Sequence, residues 1–189
     1  MKIFMKLSVH ILTYNSERYI KDALDSVLRQ KTRFPFEIVI GDDASSDDTF
    51  KIIEKYAKKH DNIKAQKNPE NLGILKNFVA TLQRCDGEYV FDLAGDDWLS
   101  DENALQILAD ALDKNPTYSF VNSGFDCYFE RSGKYRRFHN KKNIQMSKEQ
   151  YRNSQKVYGN FMIGCCFRKN MLINLVDFNN YAKEGIEFE

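Results

Sequence analysis

The sequence predicts an α/β fold, a mainly parallel central sheet with helices on both faces, followed by a β-rich C-terminal segment. Three observations predict it. Short apolar runs of strand length alternate with segments of helical period through the first 115 or so residues. The first run, "KLSVHILTYN", is apolar on both faces, as a central parallel strand must be. After Asn115-Pro116 the period changes and β-type runs follow one another directly.

Taken in order, Lys6 to Asn15 is the first strand, and Asn15 or Ser16 is placed to cap a helix carrying Tyr19, Ile20, Ala23, Leu24, Val27 and Leu28 on one face. "KTRFPF" is a connector. "EIVIGDD" (Glu37 to Asp43) is the second strand, and "SSDDT" opens a helix with Phe50, Ile53 and Ala57 inward. "NIKAQKN" is a third strand, and Asn68 to Asn71, with Pro69, form a loop. A helix from about Gly73 to Arg84 turns Phe78, Val79 and Leu82 inward. "EYVFDLA" is the fourth strand, and Asp101 caps a helix carrying Leu105, Ile107, Leu108, Ala111 and Leu112. In "YSFVNSGFDCYFERSGKYRRFHN", the "RSGK" stretch reads as a hairpin turn in which Gly133 supplies the positive φ. Residues 1–115 are thus read as one α/β half, and 116–189 as a β-rich segment of the same domain.

Composition narrows the function classes. Lys plus Arg is 28 and Asp plus Glu is 27 in 189 residues, so no global positive field points to nucleic acid. The four cysteines (Cys85, Cys127, Cys165, Cys166) show no CxxC spacing and no neighbouring His, which reads as reduced, mostly buried thiols rather than a zinc site. "MKIFMKLSVHILTY" lacks the long apolar core and small-residue cleavage site of a signal peptide, and no run approaches the roughly 20 apolar residues that span a bilayer. The expectation is a soluble cytoplasmic protein, at most peripherally associated with the inner face of a membrane.

In open parallel sheets ligands bind at the carboxyl ends of the strands, where the strand order reverses. Four polar clusters fall at such ends or just beyond them: Thr13-Tyr14-Asn15, Asp42-Asp43, Asn71 to Asn77, and Asp96-Asp97 followed by Trp98, the only tryptophan. Two adjacent carboxylates ending a buried strand lose free energy unless something positive or hydrogen-bonding faces them. One account is a helix start, where acids are favoured by the dipole. The other is a divalent cation carrying a phosphate ester.

"LSVHILTYN", "EIVIGDDASSDDT", "ENLGILKNF" and "GEYVFDLAGDDWLSD", with the spacing between them, resemble glycosyltransferase family two, the inverting enzymes of GT-A fold. The likeness is strongest over residues 5–115. It implies transfer of a sugar from a nucleoside diphosphate sugar, a UDP-sugar above others, to a glycan or lipid-linked acceptor. It further implies that Asp43 accepts a hydrogen bond from the base, with Asp42 behind it, and that Thr13, Tyr14, Asn15 and Glu17 flank base and ribose. Asp96 matches the last acid of the D-x-D motif, which holds Mg²⁺ or Mn²⁺ against the diphosphate. The first acid of that motif is Ala94 here, and Asp92 lies two residues back. Asn71 and Lys76 match the "N-x-G" element and its following cation, which would contact the diphosphate; a solvated helix lysine is the plain alternative. Asp97 binds donor or caps the turn, and Trp98 stacks on a sugar or plugs the loop.

An inverting transfer also needs a carboxylate base. The resemblance places it in an E-D pair in the second half, expected at or just past the end of "YAKEGIEFE", so that Glu187 and Glu189 are the candidates and the 189 residues read as a fragment. Three other readings compete. A response-regulator receiver would carry its acid pair after the first strand, where this chain has Thr13-Tyr14-Asn15. A nucleotidyltransferase would carry a glycine-rich loop with Arg in place of "TYNSERY". A nucleotide-sugar-binding protein without catalysis fits Ala94 and the distant base.

Overall fold

The computed structural model describes residues 4–138 and 164–171. In chain order these form β1 (Leu7–Thr13), α1 (Ile20–Leu28), β2 (Phe36–Asp42), α2 (Thr49–Ala57), β3 (Ile63–Lys67), α3 (Ile74–Gln83), β4 (Tyr89–Ala94), α4 (Ala104–Lys114), β5 (Phe120–Asn122), β6 (Phe125–Phe129), β7 (Lys134–Phe138) and β8 (Cys165–Arg168). Six strands make one sheet in the order β3-β2-β1-β4-β8-β5, and β6 and β7 make a separate hairpin. The first four are mutually parallel, and β8 runs antiparallel to both its neighbours.

Strand side chains alternate between faces, and that alternation divides the core. Val9, Ile11, Ile38, Ile40, Phe91 and Leu93 join α1, α2 and α4 in one apolar cluster. Val39, Val90, Cys165 and Phe167 meet Phe78 and Leu82 of α3 in a second, smaller one on the other face. Each fully buried side chain of this size stabilises by about 1.5–3 kcal/mol, so the sheet is a rigid base for the loops at its carboxyl edge. The α3 face is also partly polar. Ser8 Oγ donates to Glu37 Oε1 at 2.6 Å, and His10 lies between Asp92 Oδ1 (2.7 Å) and the Phe78 carbonyl (3.2 Å). Histidine inside a central strand is therefore fully partnered.

Several boundaries differ from the sequence reading. Neither Asn15 nor Ser16 caps α1 through its side chain, because the Ser16 carbonyl receives the Tyr19 and Ile20 amides instead. Asp101 accepts from the Asn103 amide at 2.7 Å, closing the turn before α4 rather than the helix itself. Ile107 is 57% exposed, since the buried stripe of α4 runs through Leu105, Leu108, Ala109 and Leu112. The strand β8, from the second half of the chain, enters the main sheet beside β4, so both halves build one sheet.

The topology fixes where a ligand binds. From β1 the chain steps outward through β2 to β3, then returns to β4 on the opposite side of β1. The connections leave the carboxyl ends of β1, β2 and β4 toward opposite sides of β1, the switch point at which open parallel sheets bind ligands.

Candidate functional site

Two loops at that edge are tied together by their own side chains. Asn15, at φ 51°, donates its amide to Ser45 Oγ (2.9 Å) and accepts the Ser46 amide on Oδ1 (2.8 Å). The Ser16 amide donates to Thr49 Oγ1 at 2.7 Å. Glu17 donates its amide to Asp47 Oδ2 (3.1 Å) and accepts the Asp48 amide on Oε2 (2.9 Å), at the start of α2. Asp42, fully buried, receives the Ser45 amide (3.0 Å) and hydroxyl (2.5 Å) and so holds the second loop in place. Burial lifts its carboxyl above the ordinary value, against the Ser45 hydrogen bonds and the charge of Lys67.

The third loop is gathered by Asp43, which is 4% exposed. Its Oδ1 accepts from Asn68 Nδ2 (2.8 Å) and the Leu72 amide (2.9 Å), and its Oδ2 from the Gly73 amide (2.9 Å). Gly73 adopts φ +80°, which glycine reaches without strain, and that conformation turns its amide to the acid. Asn71 Oδ1 shares the same amide at 3.1 Å. Behind them Asn77, buried at the start of α3, accepts from Asn68 Nδ2 (3.0 Å) and donates to the Gly41 carbonyl (3.0 Å). An ionised carboxylate offers about four lone-pair sites. Asp43 uses three of them and keeps one on Oδ2.

The fourth loop is different. Asp96, Asp97 and Trp98 are exposed, and no described donor reaches the carboxylate of Asp96 or of Asp97. Gly95 packs so closely on β1 that a Cβ there would lie 2.7 Å from Thr13 Cβ and Oγ1, which brings the acid pair against the end of β1. Although Asp97 retains solvent contact, desolvation of its carboxyl raises it above the ordinary value, and the charges of Asp96 and Asp92 add to this. Thr13 Oγ1 is buried there without a hydrogen-bond partner among the described residues. Because Thr13 pairs with Asp42 on one side and Leu12 with Ala94 on the other, the two acid pairs stand on opposite sides of β1, at the ends of strands whose backbones run about 10 Å apart.

The structure therefore brings Thr13, Tyr14, Asn15, Glu17, Asp42, Asp43 and Asn71 to one rim with Asp96, Asp97 and Trp98. Tyr14 is half exposed and Lys76 is exposed, with no acid paired to it among the described residues. Glu187 and Glu189 lie outside the described residues.

The profile of the family described as "Glycosyl transferase family 2" matches residues 8–175. The chain belongs to that family. It is 39% identical over 101 residues to the poly(ribitol-phosphate) beta-N-acetylglucosaminyltransferase TarS of Staphylococcus aureus, covering 52% of this chain and 17% of that one. A glycosyltransferase of Mycoplasma pneumoniae, the MG025 homolog, is 37% identical over 133 residues, 69% of this chain and 42% of its own. The crystal structure of S. aureus TarS 1-349 in complex with UDP-GlcNAc superposes with TM-score 0.65 at 28% identity, over 90% of this chain and 47% of that one. The chain thus spans less than half the length of these relatives. The family's GT-A architecture, a mainly parallel sheet with helices on both faces, is the fold found here.

Within this family 2 domain, three side chains at the rim were not among the sequence candidates: Ser45, Lys67 and Asn68. Lys67 ends β3 and donates to the Ser45 carbonyl at 2.7 Å. A lysine at the carboxyl end of a strand was the available signal for it. Asn68 gave none, and Asn77 was legible only as the end of the Asn71 to Asn77 cluster, because a buried amide is recognised only by the partners that the fold supplies. Chemically, the rim pairs a buried carboxylate that already accepts three hydrogen bonds, on one side of β1, with open, mutually repelling carboxylates on the other. Such open oxygens suit a hard dication that takes its remaining ligands from phosphate and water. Among the described residues no group of three or more His, Cys, Asp or Glu would hold a metal unaided.

Proposed function

We propose that this chain carries the donor site of a glycosyltransferase that moves a sugar from a UDP-sugar to a glycan or lipid-linked acceptor with inversion. The observation that carries this is the pairing of Asp43 and Asp96 on one rim across β1, one carboxylate with a single free lone pair and the other wholly free.

In this reading the free lone pair of Asp43 accepts the ring N–H of the base, while Asp42 holds the Ser45 turn behind it. Thr13, Tyr14, Asn15 and Glu17 line base and ribose, and Thr13 Oγ1 finds there the partner it lacks. Lys76 and Asn71 approach the diphosphate from the start of α3. Asp96, with Asp97 beside it, holds Mn²⁺ or Mg²⁺ shared with the diphosphate. The absence of a carboxylate at Ala94 is consistent with a cation that draws most of its ligands from the donor. When bound, such an ion offsets the charge that builds on the departing nucleoside diphosphate. The acceptor-activating carboxylate is assigned to the C-terminal segment, with Glu187 and Glu189 the candidates. UDP-GlcNAc is the first donor to test, because the relative TarS has been captured with it.

Calorimetric titration of UDP, UDP-GlcNAc and GDP, each with and without Mn²⁺, tests the reading. UDP and UDP-GlcNAc should bind more tightly than GDP, and Mn²⁺ should tighten them further. Failure of all three nucleotides to bind would remove it.

A further inference from the structure

Beyond the donor rim stands a set of aromatic rings that the donor does not account for. Tyr128 of β6 and Tyr135 of β7 are directly opposite in the hairpin, ring centroids 4.8 Å apart. Tyr128 in turn meets Trp98 edge-on, at 6.2 Å and 71°. All three rings are substantially exposed, at 42%, 64% and 40% for Tyr128, Tyr135 and Trp98. At its tip the hairpin reaches the start of α1, where Glu130 pairs with Arg18 at 3.6 Å. The hairpin therefore bridges from the loop that follows β4 to the loop that follows β1.

We infer that Trp98, Tyr128 and Tyr135 form a stacking subsite for a pyranose ring of the acceptor glycan. This rests on the donor assignment above. A two-stranded hairpin has little stability of its own, so holding three touching rings partly in water gives up apolar burial that the chain would otherwise take. A sugar ring, apolar on its C–H face and polar at its edge, matches rings that are themselves apolar in body and polar at the tip. A lipid face would be a continuous apolar patch, whereas here Asp126 shares the ring face with Tyr128, the turn adds Glu130 and Arg131, and the exposed Phe125 and Phe129 lie on the hairpin's other face. Trp98 follows Asp96-Asp97 directly in the chain, Tyr128 touches Trp98, and Tyr135 touches Tyr128. Trp98 is the ring next to the acid pair, and the two tyrosines, which belong to the separate hairpin, are assigned to the molecule that receives the sugar.

Trp98 is the only tryptophan, so its fluorescence reports on this place alone. The 189-residue chain is titrated with chitotetraose, cellotetraose and maltotetraose, with UDP plus Mn²⁺, and with phosphatidylglycerol vesicles. At least one tetrasaccharide should give a saturable change. Tyr128→Ala and Tyr135→Ala should weaken it by about ten-fold and Tyr128→Phe should keep it, since the loss is that of a ring contact. The UDP response, unchanged in all three variants, shows that the domain is folded. No tetrasaccharide response beside an intact UDP response overturns the subsite and leaves the donor reading standing. Unweakened binding by both alanine variants overturns it too, as does a response to vesicles alone. A tetrasaccharide response without a UDP response supports the subsite and removes the donor reading instead.

Discussion

Asp42-Asp43 and Asp96-Asp97 are the same dipeptide at the carboxyl ends of the two parallel strands that flank β1, the first beginning on the last residue of β2 and the second two residues past the end of β4. The first pair is buried and receives five hydrogen bonds from Ser45, Asn68, Leu72 and Gly73. The second is exposed, and no described donor reaches either carboxylate. The difference does not arise in the pairs themselves. It arises in the segments that follow. After Asp43 the chain folds back through Ala44, at φ 62°, so that Ser45 meets Asp42, while the β3–α3 loop brings its amides to Asp43. After Asp97 the chain leaves through Trp98, and Leu99 is drawn inward to Ser26 Oγ and away from the acids. The first pair organises three loops. The second is left with charge to neutralise, and that separation of tasks is what a donor site with a fixed floor and an exchangeable cation requires.

The largest effect that would break this contrast is functional. Asp96→Asn removes the open charge while touching no described hydrogen bond. Donor turnover, followed as release of UDP from UDP-GlcNAc in Mn²⁺, should fall by at least about a hundred-fold, which is about 2.7 kcal/mol of barrier. The unfolding midpoint in urea should barely move, as for other surface substitutions. A variant that turns over normally would mean that the second pair is only a loop device.

The converse substitution should sharpen it. In Asp43→Asn the amide nitrogen cannot accept, so either the Gly73 amide or the two Oδ1 donors, Leu72 N and Asn68 Nδ2, face another donor in a buried place. A buried group left without its partner costs about 1–3 kcal/mol, and urea unfolding should show a loss of about 2 kcal/mol. Equal stability of the Asp43→Asn and Asp96→Asn proteins would erase the distinction between the pairs.

How far the sequence carried this reading follows the same line. The parallel sheet and four helices were legible because each run has a period of its own, and Gly133, at φ +63°, turns the expected hairpin. The rim was legible because polar residues at strand ends converge whenever the strands are parallel. What was not legible is non-local. Strand β8 joins β4 from about 70 residues away, and "CCFR" is too short to declare its partner. The hydrogen bonding of Asp43 depends on Asn68 and on two backbone amides, which have no residue type to read. Nor did Ile107 announce that it faces water, since its apolar neighbours on both sides satisfy the helical stripe without it.

Asp42 offers the finest test, because its charge is buried against a turn rather than opposite a cation. Burial raises its carboxyl in the folded protein above the value of the unfolded chain, which is near 3.9. The native state therefore binds this proton more tightly than the unfolded state does, and the proton's contribution to stability is present in full below the unfolded value. It is lost as pH rises through the raised folded value. Asp42→Asn has no such proton to lose. Its stability deficit relative to wild type should be widest at the acid end of the range in which both proteins fold, and should narrow as pH rises to neutrality. The change should be smaller than the Asp43→Asn loss, because Ser45 and Lys67 already offset part of the burial. Paired urea titrations from pH 4 to pH 8 measure it, with the difference between the two proteins cancelling the other carboxylates. A deficit that stays constant, or widens toward neutral pH, would show that Asp42 holds the Ser45 turn as an unperturbed anion, and the first pair would then resemble the second in charge though not in exposure.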